Sequence, residues 1–310
     1  MAKTTCVVLG GTGFLGRQLC AELVRQQYSV RSVSRSGTPR GKPEGWWSQV
    51  QWLTGSIDST VSLDAMKDAD VLFHLASTTY PSTSSRDPVY DLQSNTVATL
   101  EMLQSGALSN LTKIIFVSSG GTVYGIPQSI PIDESHPTDP ICAYGIHKLA
   151  CEKYLQLFQF THRVDTIILR VSNVYGPLQE IQRPFGAVEA FMRHAIMDEP
   201  IDIWGDGSIT RDYVHVDDVV ASLLKAMSNG GRSGIFNIGS GIGHTLNEIV
   251  RMIEKRLDKT VKVNYLPARN FDVPVNVLNI RKAKEQLGWE PRVSLEISID
   301  HDMLPGKRAT

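Results

Sequence analysis

Residues 4–16 read Thr-Thr-Cys-Val-Val-Leu-Gly-Gly-Thr-Gly-Phe-Leu-Gly. A β-branched run from Cys6 to Leu9 passes into Gly10, Gly11, Gly13 and Gly16, and an amphipathic helical pattern opens at Phe14. Strand, glycine turn and helix in that order make the phosphate-binding turn of a dinucleotide-binding unit. Glycines allow the tight turn, the approach of backbone to a pyrophosphate, and close packing of helix on strand, while unpaired N–H groups at the helix start attract phosphate. Gly10, Thr12, Gly13, Phe14, Leu15 and Gly16 are therefore the first candidate cofactor residues.

Outward from that turn, strand-like runs at Ser29 to Val33, Val50 to Leu53, Val71 to Leu75, Ile114 to Ser118 and Thr166 to Arg170 alternate with helix-length stretches. The helices are expected at Phe14 to Gln26, Asp87 to Leu108 and Ala143 to Phe160. This alternation predicts an α/β fold, a Rossmann-type doubly wound parallel sheet covered on both faces, with ligands bound beyond the carboxyl ends of its strands. After about Tyr175 the rhythm becomes irregular. Helices fit Gly186 to Met197, Asp217 to Ser228, Thr245 to Leu257 and Arg281 to Leu287, and strands fit Ile201 to Trp204, Asp212 to Val216 and Gly234 to Ile238. Residues 1–175 read as the dinucleotide-binding domain and 176–310 mainly as a smaller mixed α/β substrate-binding lobe, with segments free to cross between them. The tail from Pro305 is expected to fray.

The 310 residues carry 31 Lys plus Arg against 32 Asp plus Glu, a formal charge of −1. That balance leaves no polybasic footprint, so neither nucleic acid nor an anionic membrane is an expected partner. Hydrophobic residues at 42% and charged residues at 20% describe an ordinary globular chain rather than a disordered or fibrous one. Cys6, Cys20, Cys142 and Cys151 form no C-x-x-C pair, no His cluster stands at ligand spacing, and no metal is expected. No run has the length of a signal-peptide core or of a ~20-residue membrane span, so the cytoplasm is the default compartment.

Ser34 and Arg35 end the second strand, 21 and 22 residues beyond Gly13. NAD-preferring folds place an acidic residue there, on the adenosine ribose. A carboxylate repels a 2′-phosphate whereas Ser and Arg bind one through charge-assisted bonds, which favours NADP over NAD as the cofactor. In Tyr144-Gly145-Ile146-His147-Lys148 the phenol and the ammonium stand at i and i+4 on one helical face. Bringing a phenol from ~10 to ~7 takes about 4 kcal/mol. Lys148 and the positive nicotinamide of an oxidised cofactor can supply that field, with Lys148 also holding the nicotinamide ribose.

With these motifs, and with Ser118-Ser119-Gly120-Gly121-Thr122-Val123-Tyr124-Gly125 between them, the chain resembles the extended short-chain dehydrogenase/reductase family of nucleotide-sugar epimerases, dehydratases and reductases. The resemblance runs from about Thr4 to Pro291. It includes His74-Leu75-Ala76, Asn95 with Thr99, Leu169 to Pro177, Gly205-Asp206-Gly207, Arg211 to Val219, Phe236-Asn237-Ile238-Gly239 and Leu287-Gly288-Trp289-Glu290-Pro291. It implies Tyr144 as acid/base at a sugar hydroxyl and Lys148 as its partner. It adds Ile57, Leu75, Ala76 and Asn95 to the cofactor residues. It implies Asn173 at the substrate diphosphate, Arg211 and Arg269 as a phosphate clamp, and Asp272 on the nucleoside ribose; paired arginines suit a pyrophosphate because each forms forked bonds.

Two positions depart from the family pattern. Gly120 stands where a Ser or Thr usually relays the proton, leaving Thr122, the favoured candidate, or Ser119. Ser56 stands where an Asp usually meets adenine. Gly121-Thr122 replaces the Asp-Glu pair of dehydratases, which argues against dehydration. The expected activity is a nucleotide-sugar C4 epimerase that oxidises its substrate transiently to a 4-keto sugar. The alternative is an NADPH-dependent reductase of 4-keto-(deoxy)sugar nucleotides, and a non-catalytic dinucleotide sensor is a third reading, which the intact Tyr/Lys pair disfavours. A homodimer is expected, through Asp87 to Leu108 and Ala143 to Phe160.

Overall fold

The computed structural model describes residues 3–301 apart from 42, 109, 178–185, 231–232 and 270–271. The tail from Pro305 lies outside the described residues. Strands β1 (Thr5–Leu9), β2 (Ser29–Ser34), β3 (Val50–Thr54), β4 (Val71–His74), β5 (Lys113–Ser119) and β6 (Asp165–Val171) fall where alternation predicts them, each within a residue or two. They pair in parallel in the order β6-β5-β4-β1-β2-β3, the doubly wound arrangement.

The smaller lobe's strands are β7 (Asn173–Tyr175), β8 (Ile201–Trp204), β9 (Thr210–His215), β11 (Gly243–Thr245), β12 (Val263–Leu266) and β13 (Val275–Asn276). β7, β11 and β13 all pair with β9, and β12 pairs with β8. Between them in sequence, β10 (Gly234–Ile238) leaves this lobe and adds a seventh parallel strand beside β6, with Gly234 opposite Ile167 and Ile238 opposite Val171. The helix Val216–Ser228 also lies on the large sheet, against the helix Phe14–Arg25. Both crossings bury apolar side chains, Phe236 and Ile238 from the strand and Val219 and Leu223 from the helix.

Alternation along each strand feeds two cores. Cys6 and Val8, with Phe73, Ile115 and Ile167, face one layer of helices, while Val7 and Leu9, with Leu72, Ile114 and Ile168, face the other. Sequence pattern did not reveal the helix Thr60–Met66, whose Ser59 hydroxyl accepts from the Ser62 N–H at 3.3 Å. It also missed the helix Leu295–His301 and strands β7, β11, β12 and β13, which are short. The helix Val216–Ser228 is capped by the His215 imidazole, which accepts from the Asp217 N–H at 3.3 Å, while the Asp217 side chain is exposed. The expected helix from Asp87 to Leu108 is broken into Pro88–Asp91, a π turn at Leu92–Val97, and Ala98–Gln104.

Beneath the Gly120 loop lies a buried ion pair. Arg170 Nη2 donates to Glu152 Oε2 at 2.7 Å, Arg170 Nε reaches both carboxylate oxygens at 3.1 Å, and Ser118 donates to Oε1. The guanidinium also stacks 4.8 Å over the Tyr124 ring. Removing one partner of such a pair leaves an uncompensated buried charge. Glu152→Gln is therefore expected to lower unfolding free energy by about 3 kcal/mol, read from urea denaturation; a loss under ~1 kcal/mol would show that the pair behaves as a surface contact.

Candidate active site

A cleft of about 870 Å³ opens at the carboxyl ends of the strands, between the large sheet and the smaller lobe. The glycine turn forms one wall. Gly10 has φ of +88°, a left-handed conformation that disfavours any side chain, and a Cβ on Gly16 would lie 2.2 Å from the Gly10 carbonyl oxygen and 2.6 Å from Gly11 Cα. The helix Phe14–Arg25 starts without a side-chain cap, so its first N–H groups are available to a phosphate. Thr12, Gly13, Phe14 and Leu15 line the cleft, and Gly10 and Gly16 shape it from behind.

Beside the glycine turn, Arg35 lines the cleft and donates to the Tyr90 phenol oxygen at 3.3 Å. The Ser34 hydroxyl turns to the Gly37 carbonyl at 3.3 Å, and the cleft-facing serine is its neighbour Ser36, 2.9 Å from Thr12 Oγ1. Arg17 and Arg40 face the same space, two cations that sequence reading did not assign. Ser56 bonds Asp58 at 2.6 Å, Ile57 is buried in the core, and Ala76 packs behind Gly10, leaving Leu75 as the member of that group on the cleft. Trp46 and Trp47 pack with Trp52 at 6.1–6.2 Å and do not line the cleft.

Tyr144 and Ser119 both line the cleft. The Tyr144 N–H donates to Ser84 Oγ at 3.0 Å, which anchors the first turn of the helix Ala143–His162. Burial, then the Cys142 thiol, push the Tyr144 phenol above its usual range, and a hydrogen bond from Ser77 pulls the other way. Lys148 is 3% exposed; its ammonium donates to the Val117 carbonyl at 3.0 Å, 5.7 Å from the Tyr144 ring centroid. Burial pushes Lys148 down to about 8.

The Thr122 hydroxyl is buried, off the cleft and without a hydrogen-bond partner, whereas Ser119 lines the cleft, as does Ser77, whose hydroxyl is bonded with the Tyr144 phenol. A Cβ on Gly120 would lie 2.6 Å from Leu278 Cδ1 and 3.0 Å from the Arg170 carbonyl oxygen, so position 120 points into packing. Asn95 is buried, receiving the Thr78 N–H and donating to Thr78 and to the Asp91 carbonyl, each at 2.9 Å. It holds the loop that lines the cleft rather than lining it.

On the opposite wall, the Asn173 amide donates to the Asp212 carbonyl at 3.1 Å, and Arg211 donates to the Thr210 and Val273 carbonyls at 2.9 and 2.6 Å. Arg269 and Asp272 form a two-pronged ion pair at 2.8 and 3.0 Å, and Asn270 and Phe271 between them lie outside the described residues. The Arg269 guanidinium lies 5.4 Å over Trp204. All four line the cleft. Sequence reading also missed Glu189, whose carboxylate accepts from the Gly176 N–H at 2.8 Å and which burial lifts to about 7. Neither Glu189 nor Trp204 stands in a periodic pattern that would mark it. Among the described residues no group of three His, Cys, Asp or Glu is placed to hold a metal, all four cysteines are free, and no helix is long and apolar enough to cross a membrane.

The seven-stranded sheet, its glycine turn and the adjoining Tyr-x-x-x-Lys pair define an enzyme of the extended short-chain dehydrogenase/reductase type. More narrowly, the chain belongs to the NAD dependent epimerase/dehydratase family, whose model matches residues 6–239. It is 32% identical to a putative UDP-glucose 4-epimerase of Methanocaldococcus jannaschii over 94% of this chain and 95% of that one. It is equally 32% identical, over 96% of both, to a dTDP-4-dehydro-6-deoxyglucose reductase of Escherichia coli. The UDP-glucose 4-epimerase of Thermotoga maritima, solved with UDP-glucose, superposes with a TM-score of 0.88 at 33% identity, covering 96% of each chain.

The Gly16 contacts are backbone to backbone and cannot yield by side-chain rotation. Gly16→Ala is expected to weaken dinucleotide binding at least tenfold and to cost about 1–3 kcal/mol of stability, read from nicotinamide fluorescence and thermal melting. Gly45→Ala, where a Cβ meets nothing within 4 Å, serves as the control.

Proposed function

We propose that the chain is an NAD(P)-dependent nucleotide-sugar C4 epimerase, working in the cytoplasm. What carries this reading is the convergence of three groups on one cleft: the uncapped helix start behind Gly13, the hydroxyls of Tyr144 and Ser119, and the arginines Arg211 and Arg269. The nicotinamide, when bound, supplies the hydride acceptor and donor. Tyr144, as its phenolate, takes the proton of the sugar hydroxyl by way of Ser119 and, as the phenol, later returns it, and the Lys148 charge stabilises the phenolate form. Arg211, Asn173 and Arg269 hold the diphosphate end while the sugar turns, and Asp272 meets the ribose once its pairing with Arg269 is exchanged for ligand.

A reductase is the second reading, and a specific observation favours it: Arg17, which pairs with Glu44 at 3.6 Å, lines the cleft with Arg35, Arg40 and Ser36, and among the described residues no carboxylate lines it beside them. Such a set suits a 2′-phosphate and hence NADP. For assembly we propose a homodimer through the faces of Pro88–Gln104 and Ala143–His162 that leave Val89, Leu92, Ile146, Tyr154 and Leu157 exposed; light scattering at working concentration should give twice the monomer mass.

Incubation with UDP-glucose, UDP-galactose and their dTDP counterparts is expected to interconvert C4 epimers with no net change at the nicotinamide absorbance. Stoichiometric consumption of NADPH with a 4-keto nucleotide sugar would instead establish the reductase. Tyr144→Phe should lower kcat by about 10²–10⁴-fold. Because Lys148 works as its ammonium and burial holds it at about 8, kcat should fall as the pH rises through that value; a profile flat from pH 7 to 9 would remove Lys148 from the mechanism.

A further inference from the structure

The π turn at Leu92–Val97 has a consequence for the site across from it. Its widened register is supported by side chains: the Asn95 amide donates to the Asp91 carbonyl at 2.9 Å and the Thr99 hydroxyl to the Asn95 carbonyl at 2.6 Å. Asp91, just before the turn, is 1% exposed. One of its carboxylate oxygens accepts from the Thr79 hydroxyl, and the other accepts from His147 Nδ1 at 2.8 Å. The His147 ring in turn stands edge-on to Tyr144, centroids 4.9 Å apart at 76°. Asp91 thus joins the loop lining the cleft to the helix that carries Tyr144 and Lys148.

The charge on Asp91 is not neutralised within that network. His147 is neutral, pushed down to about 4 by burial and by the Lys148 charge, so it contributes an N–H dipole and no cation. The other groups around Lys148 are otherwise occupied. Glu152 is forked by Arg170, burial pushes the Cys151 thiol up so that it stays protonated, and His74 is neutral, pushed down to about 3. The Tyr144 phenol is protonated, and of the groups whose charge favours the Lys148 ammonium, Cys151, then Glu152, then Asp91, it is Asp91 that is bonded to the His147 ring beside Tyr144.

We propose that Asp91 is a positioning residue: it holds His147 in one tautomer and ring plane against Tyr144, and it is one of the buried counter-charges that keep Lys148 protonated. The proposal rests on Tyr144 and Lys148 being the acid/base pair. A buried ammonium that loses an opposing charge releases its proton more readily, so the effect is read at Lys148 itself.

The test uses the full chain with Asp91→Asn, which keeps the shape and the acceptor for His147 but deletes the charge. Lysines are labelled with ¹³C at Cε, and the Lys148 signal is identified by its loss in Lys148→Arg. Its titration midpoint is expected to fall by about one pH unit, and the basic limb of the kcat profile should move with it while KM changes less than twofold. His147→Gln, which keeps a donor to Asp91 but removes the ring, should lower kcat without moving the limb. An unmoved Lys148 midpoint in Asp91→Asn, or an undiminished kcat in His147→Gln, overturns the proposal. If Tyr144→Phe keeps full activity the acid/base reading falls, while the lysine titration still decides whether Asp91 is a counter-charge.

Discussion

Both faces of the parallel sheet are buried, and the placement of everything else follows from that. Val7 and Leu9 pack into one helical layer and Cys6 and Val8 into the other, so the strands offer ligands neither face. Their inner peptide groups are spent on the ladders. What remains open is the line of strand ends, and there the chain turns through Gly10 after β1, Leu75 after β4 and Ser119 at the end of β5. Chemistry collects at that edge because it is the place where backbone N–H groups and polar side chains can be left unpaired at little cost.

Charge is distributed along the cleft with the same economy. Arginines stand at its two ends, Arg17, Arg35 and Arg40 near the glycine turn and Arg211 and Arg269 on the smaller lobe. Between them the polar groups are mostly hydroxyls, and Lys148 is recessed behind the Tyr144 wall, shielded from solvent. A low-dielectric centre between two cationic ends strengthens any field acting on a reacting hydroxyl, because interactions that water would screen are not screened there. The buried Glu152–Arg170 pair sits under the Gly120 loop, and its forked geometry with Ser118 fixes that loop's base.

Much of this was legible in the residues because its physical signals are local. The glycine turn announces itself through positions where backbone meets backbone, and Tyr144 and Lys148 through a helical spacing. The missed parts depend on contacts between distant segments. Nothing in the run from Asp87 to Leu108 shows that its helix widens into a π turn, since the side-chain bonds that support it also occur in ordinary helices. Nor does the sequence around Gly120 show that Leu278, more than 150 residues on, fills the space its side chain would need.

The sequence by itself determined the class of fold, the positions of the first six strands along the chain and the glycine turn, because periodicity and glycine placement act within a few residues. Only the tertiary structure decided which hydroxyl faces the cleft, Ser119 rather than Thr122, and that Asn95 braces a loop. It also decided that Arg269 and Asp272 pair with each other and that β10 returns to the large sheet. Each of these depends on where side chains from separate segments meet, and burial and hydrogen-bond partners exist only once the layers have packed.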